Sequence, residues 1–259
     1  MKLKKASNHI LQYICLLGFL GFHTPSQLLA TTTISSGHAD IFEAEYLTAD
    51  EGTGQPLAKP EIHLGVHTDS GHSEPLDVLL EVGNSAFRST SSFSSSVISI
   101  LGSNAWILPA DLEEAASLGL IEAGVAKTGF PDLGPVTFTM VASGVANPGN
   151  FALFNSGSAI RLSATGPEVG TSSFSITTGH IHYNWGFSAP GIYTFDIKAT
   201  YTGGVFGALE SAVETYTFNV IPEPSCGILL LTAFSVGMSL RRRFFRSQGL
   251  NRRSLRISR

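Results

Sequence analysis

Between residues 31 and 220 the chain has no cysteine; its two, Cys15 and Cys226, stand in the end segments. That absence excludes an internal disulfide framework, a thiol nucleophile and a cysteine-based zinc knuckle from the middle of the protein. Positive charge is almost as scarce there. Of 16 lysines and arginines only Lys59, Arg88, Lys127, Arg161 and Lys198 fall in this stretch, which holds 19 of the 20 acidic residues and carries a net charge of −14. Phosphate binding needs a basic face, so no nucleic-acid partner is expected, whereas such a surface attracts cations. No Gly-x-Ser-x-Gly elbow, His-Glu-x-x-His helix, phosphate loop or dinucleotide fingerprint occurs, so the residue sets of the familiar catalytic classes are missing. Long apolar runs are missing too: the stretches at 10–22 and 226–240 fall short of the roughly 20 residues that normally span a bilayer.

What the ends do have is order. Lys2, Lys4 and Lys5 precede the apolar run at 10–22, the charged-then-apolar arrangement of an export signal, with cleavage expected near Ala30. At the other end Pro222-Glu223-Pro224 leads into the apolar stretch at 226–240, and Arg241, Arg242, Arg243 and Arg246 follow. This reads as a short stop-transfer helix whose arginines snorkel and stay cytoplasmic, leaving the preceding domain outside the inner membrane. The expected organisation is a signal peptide at 1–30, one domain at 31–220 long enough for a core without staples, a sorting segment with a short transmembrane helix at 221–246 and a basic cytoplasmic tail at 247–259.

Strand signals dominate the domain. β-branched or alternating stretches lie at 62–66, 76–82, 136–145, 151–154, 173–177, 193–201 and 216–220, separated by Gly, Pro, Asn and Ser clusters. Asn147-Pro148-Gly149-Asn150 and Pro190-Gly191 are turns, since proline presets φ and glycine accepts a positive one. The expected fold class is all-β, an Ig-like or jelly-roll-like β-sandwich, flanked by the signal peptide and the C-terminal transmembrane helix. Only 111–120 reads as helical, with Asp111 capping a run that contains Leu112, Ala115, Ala116 and Leu118. The serine-rich span 89–99 reads as a polar loop or edge strand.

The domain's six histidines are grouped. His38 lies two residues before Asp40, His63 and His67 are four apart with His72 close behind, and His180 and His182 are two apart. Residues i, i+2 and i+4 of a strand share a face. His63, Gly65 and His67 therefore oppose Ile62, Leu64 and Val66, while His180, His182 and Asn184 oppose Ile181, Tyr183, Trp185 and Phe187. A neutral imidazole ligates zinc and similar divalent ions, and a pair at strand spacing binds one ion when a further ligand arrives from elsewhere. The candidate metal ligands are His38, Asp40, His67, His180 and His182, with zinc favoured and with His63 and His72 at the margin of the group. No catalytic residue and no site for another cofactor is expected. Two other classes remain open: a carbohydrate-binding module, in which exposed Tyr183 or Tyr201 would stack on sugars, and a zinc hydrolase, in which Asp40 or Glu61 would act as base.

Two resemblances add to this. Pro222-Glu223-Pro224, the short apolar helix and Arg241, Arg242 and Arg243 closely resemble the PEP-CTERM sorting signal of Gram-negative bacteria. That resemblance implies export through the secretion translocon, at least transient residence in the inner membrane, processing by an exosortase-type enzyme and delivery to the cell surface or extracellular matrix, with exopolysaccharide as a further partner. The domain itself is similar to the choice-of-anchor M domain, related to the actinobacterial surface-anchored repeat domain. Gly37-His38-Ala39-Asp40, the strand at 62–69, Ala105-Trp106-Ile107-Leu108-Pro109 and the turn at 144–154 match its motifs. The block Gly179-His180-Ile181-His182-Tyr183-Asn184-Trp185-Gly186-Phe187-Ser188-Ala189-Pro190-Gly191-Ile192-Tyr193 resembles its His-x-His-x-Asn-Trp-x-Phe-x-x-Pro-Gly-x-Tyr signature. Association of related proteins with metal-uptake transporters implies that the histidines capture or present metal.

Overall fold

Alternation of side chains builds the longest strands. In Gly191–Tyr201 the residues Tyr193, Phe195, Ile197, Ala199 and Tyr201 are buried while those between them are partly exposed, and Tyr216, Phe218 and Val220 repeat the pattern in Glu214–Val220. The computed structural model describes residues 32–144 and 147–222. The expected signal peptide lies outside the described residues, as do Glu223, Pro224, the apolar stretch at 226–240 and Arg241, Arg242 and Arg243; Pro222 is the last residue described. Among the described residues no helix is long and apolar enough to cross a membrane.

The described chain is mostly β, in three sheets. A seven-stranded sheet runs Thr32–Ile34, Val78–Val82, Glu214–Val220, Gly191–Tyr201, Val136–Ala142, Ser173–Ile176, with Leu209–Glu210 also paired to Gly191–Tyr201. A six-stranded sheet runs Glu168–Val169, Ile160–Thr165, Phe151–Phe154, Asn184–Phe187, Asn104–Leu108, Phe87–Ser89. The third sheet has five strands, in the order His180–His182, Ile121–Thr128, Gly37–Ala49, Pro56–Thr68, Gly71–Ser73.

One buried cluster draws on all three sheets. Phe42 of the five-stranded sheet sits 4.8 Å, ring to ring, from both Trp185 of the six-stranded sheet and Tyr216 of the seven-stranded one. Burying each such ring stabilises by about 1.5–3 kcal/mol, so this contact ties the layers together. The Tyr216 hydroxyl donates to the Gly65 carbonyl at 3.3 Å, which anchors the strand Pro56–Thr68 from beneath. A second cluster, including Val97, Leu101, Ile107 and Phe154, packs a short helix onto the six-stranded sheet.

That helix, Ser95–Leu101, replaces the loop or edge strand expected in the serine-rich span. Ser94 caps it by accepting from the Val97 N–H, and Val97 and Leu101 bury its apolar side; serine at a cap favours the helix that serine inside it only weakly opposes. The expected helix at 111–120 is present as Leu112–Leu118, with the Asp111 side chain accepting from the Glu114 N–H. The strand expected from 76 begins instead at Val78, because Pro75 starts a tight turn over Pro75–Asp77, and the strand from Val136 ends at Ala142.

Candidate metal centre

The five-stranded sheet turns one face to the core and leaves the other to solvent, and a β-bulge determines what the outer face carries. Asp40 pairs with Gly124 and Phe42 with the adjacent Val125, so Ile41 is an extra residue in its strand. Ile41 and Phe42 are both fully buried, which no regular alternation allows. Beyond the bulge the parity is reversed. His38 and Asp40 before it, and Glu43 and Glu45 after it, consequently face outward together.

Register then assembles all six histidines on that outer face. Asp40 lies opposite His67, Glu43 opposite Gly65 and Glu45 opposite His63, while His67 pairs with His72. On the other side Asp40 pairs with Gly124, Gly124 with His182, and the neighbouring Ala126 with His180. Facing pairs across a sheet share a side, so the order of strands alone brings the histidines together.

His38, His180 and His182 converge, each offering a ring nitrogen within 4.8 Å of the others. His182 Nδ1 donates to the Ala123 carbonyl at 3.1 Å, which leaves Nε2 as its lone-pair nitrogen. His180 Nδ1 stands 2.7 Å from Asp40 Oδ1, in contact but off the line of a hydrogen bond, and its Nε2 turns to His182. These two Nε2 atoms face each other at 2.6 Å. The His38 ring lies 5.2 Å from that of His180 and 5.7 Å from that of His182, with Nε2 3.5 Å from Asp40 Oδ2. Asp40 is 7% exposed, and its Oδ1 accepts no aligned hydrogen bond despite the nearness of His180. Gly124 makes this possible: a Cβ there would overlap Asp40 Oδ1 and come within 2.9 Å of His180 Cε1.

His67 does not join this trio. Half-exposed, it turns its Nδ1 to Glu43 Oε2 at 3.4 Å, and His72 Nδ1 reaches the same oxygen at 3.4 Å. Glu43 is buried and its other oxygen accepts from the Thr128 hydroxyl at 2.8 Å. His63, close to His72 with rings 5.0 Å apart, is flanked by Glu51 and Glu74. Asn184 also leaves the expected set: the chain passes from one sheet to another at Tyr183, and Asn184 is buried with its Oδ1 accepting from the Ala110 N–H at 2.9 Å. Tyr183 and Tyr201, the rings considered for sugar stacking, are buried in the core.

The two groups differ electrically. Burial, followed by the charge of His180, pushes the His182 imidazole below its ordinary 6.5 and keeps it neutral. Burial pushes the Glu43 carboxyl up, but hydrogen bonds with His72 and Thr128 and the charges of His67 and His72 outweigh it, leaving it below 4.5. His72 is raised, first by its bond to Glu43, against burial and with help from the charges of Glu43, Glu45 and Glu51.

Sequence reasoning missed Glu43, Glu51 and Glu74 and the spacer glycines 65 and 124. Glu43 stands three residues from Asp40, on the wrong parity until the bulge is known. No family model, no curated protein and no solved structure matches this chain.

Proposed function

We propose that this is an exported, surface-sorted, non-catalytic protein whose β domain, an Ig-like or jelly-roll-like sandwich of the choice-of-anchor M kind, captures a divalent transition metal, zinc favoured. One observation carries the reading: the Nε2 atoms of His180 and His182 face each other at 2.6 Å with His38 beside them and a buried carboxylate behind. Two ring nitrogens this close share either a proton or a cation, and a cation makes the contact a ligation. The donor set fits zinc, which takes imidazole nitrogens at about 2.0–2.1 Å in tetrahedral geometry, so the two Nε2 atoms part from 2.6 Å to about 3.3 Å when it enters. Asp40 beside His180, and the Ala123 carbonyl on His182, are the partners that orient ligating imidazoles and raise their basicity. The net charge of −14 concentrates cations at the surface.

Export and sorting rest on the lysine-then-apolar start and on the Pro222-Glu223-Pro224 tail with its arginines. The exosortase, the translocon, the inner membrane and an exopolysaccharide are the partners this reading entails.

Equilibrium dialysis of the full chain against micromolar zinc, followed by elemental analysis, tests the metal reading. Wild type retains zinc, and His180→Ala and His182→Ala each retain less of it; a wild type that retains none, or variants that retain as much as wild type, overturns it.

A further inference from the structure

A second grouping on the same sheet face has the construction of a metal site. His63, His72 and Glu74 each offer a ligand atom, all within 4.8 Å of one another. Behind both imidazoles stands a carboxylate. His63 Nδ1 lies 3.0 Å from Glu51 Oε2, and His72 Nδ1 lies 3.4 Å from Glu43 Oε2. A carboxylate on Nδ1 fixes the tautomer and makes Nε2 the ligating nitrogen, the arrangement that supports histidine in metal centres. His63 Nε2 already faces Glu74, at 3.1 Å from Oε1 and 3.3 Å from Oε2. The sheet leaves a recess for the His72 ring, since a Cβ on Gly65 would overlap that ring. Around two imidazoles there are thus three carboxylates, Glu43, Glu51 and Glu74, an excess of negative charge that a divalent ion offsets.

We propose that His63, His72 and Glu74 form a second divalent-metal site, separate from the trio of His38, His180 and His182, so that the sheet presents two ions side by side. Two imidazoles and one carboxylate suit zinc, cobalt or nickel and disfavour calcium and magnesium, which take all-oxygen shells. Glu51 and Glu43 are positioning residues: they hold the rings and do not touch the ion.

The proposal is tested by counting zinc bound to the full chain at saturation, by dialysis and elemental analysis, with circular dichroism verifying the fold of every variant. Wild type is expected to hold two equivalents. His63→Ala and the isosteric Glu74→Gln each hold one, His180→Ala holds one, and the combination of His63→Ala with His180→Ala holds none. Glu51→Gln keeps the second equivalent but with affinity about 10–100-fold weaker, as loss of a supporting carboxylate produces. A wild type with a single equivalent that His180→Ala removes overturns the second site and leaves the first standing. A single equivalent removed by His63→Ala but untouched by His180→Ala supports the second and overturns the first. Two equivalents that survive both His63→Ala and Glu74→Gln overturn the proposal.

Discussion

The two histidine groups occupy one face of one sheet and are built on opposite electrostatic plans. Around His38, His180 and His182 there are three imidazoles and a single buried carboxylate, Asp40, with His182 held neutral by burial and by its neighbour's charge. Around His63, His67 and His72 the carboxylates Glu43, Glu51 and Glu74 already provide ion-pair partners, and His72 is inclined to keep its proton. In the first group the imidazoles face one another more than they face carboxylates, so an ion entering it meets ring nitrogens. The second is nearly satisfied by itself, and an ion entering it must displace protons.

The largest test of that contrast is Gly124→Ala. Its Cβ overlaps the Asp40 carboxylate, which is buried and must shift, so urea unfolding should reveal a loss of about 1–3 kcal/mol and zinc should leave the first site. Unchanged zinc retention in this variant would break the claim that the close approach of Asp40 and His180 over Gly124 sets that site. Next in size, Asp40→Ala takes the carboxylate from behind His38 and His180 and should weaken zinc about 10–100-fold in competition with a chromophoric chelator, while His38, His180 and His182 remain. Gly65→Ala is the matched counterpart of Gly124→Ala. The His72 ring it displaces is partly exposed and can swing into solvent, so stability should fall by less than about 1 kcal/mol in the same urea assay while only the second zinc is lost.

The smallest effect is the pH response of the metal-free protein. His72, raised above 6.5, contributes stability that is complete below that pH and fades as pH rises through its folded value. Glu43, lowered beneath 4.5, contributes stability above that pH which fades as pH falls through its folded value. The stability difference between wild type and Glu43→Gln should therefore peak between about pH 4.5 and 6.5, at under about 1 kcal/mol since His72 is partly solvated. His182 has the reverse sign: below pH 6.5 the unfolded chain takes up a proton that the folded ring resists, and stability falls. A thermal-melting scan in which His182→Asn steepens rather than flattens that acid loss would contradict the assignment.

Much of the fold was readable where one rule governed one segment. The alternation in Gly191–Tyr201 and Glu214–Val220, and the cap at Asp111, are local and emerged as expected. Gly37–Ala49 escaped because its bulge puts Ile41 and Phe42 side by side in the core, which erases the period of two. Ile121–Thr128 escaped because, central and rich in small residues, it is buried almost throughout. At the site, the pairing of His180 with His182 followed from spacing. The exclusion of His67 from their trio did not, since it depends on strand order, which sets two strands between Pro56–Thr68 and His180–His182 and leaves His67 beside Glu43.

By itself the sequence determined that this domain is β-built, acidic and free of cysteine, and that its histidines come in pairs able to share a strand face, because composition and a period of two are properties of the chain read in order. Only the tertiary structure decided which pairs meet. Strand order sets Ile121–Thr128 between Gly37–Ala49 and His180–His182, bringing His38 to His180, and Gly124 and Gly65 leave the gaps in which Asp40 and His72 sit. Register and close approach are relations between distant segments, and no local pattern encodes them.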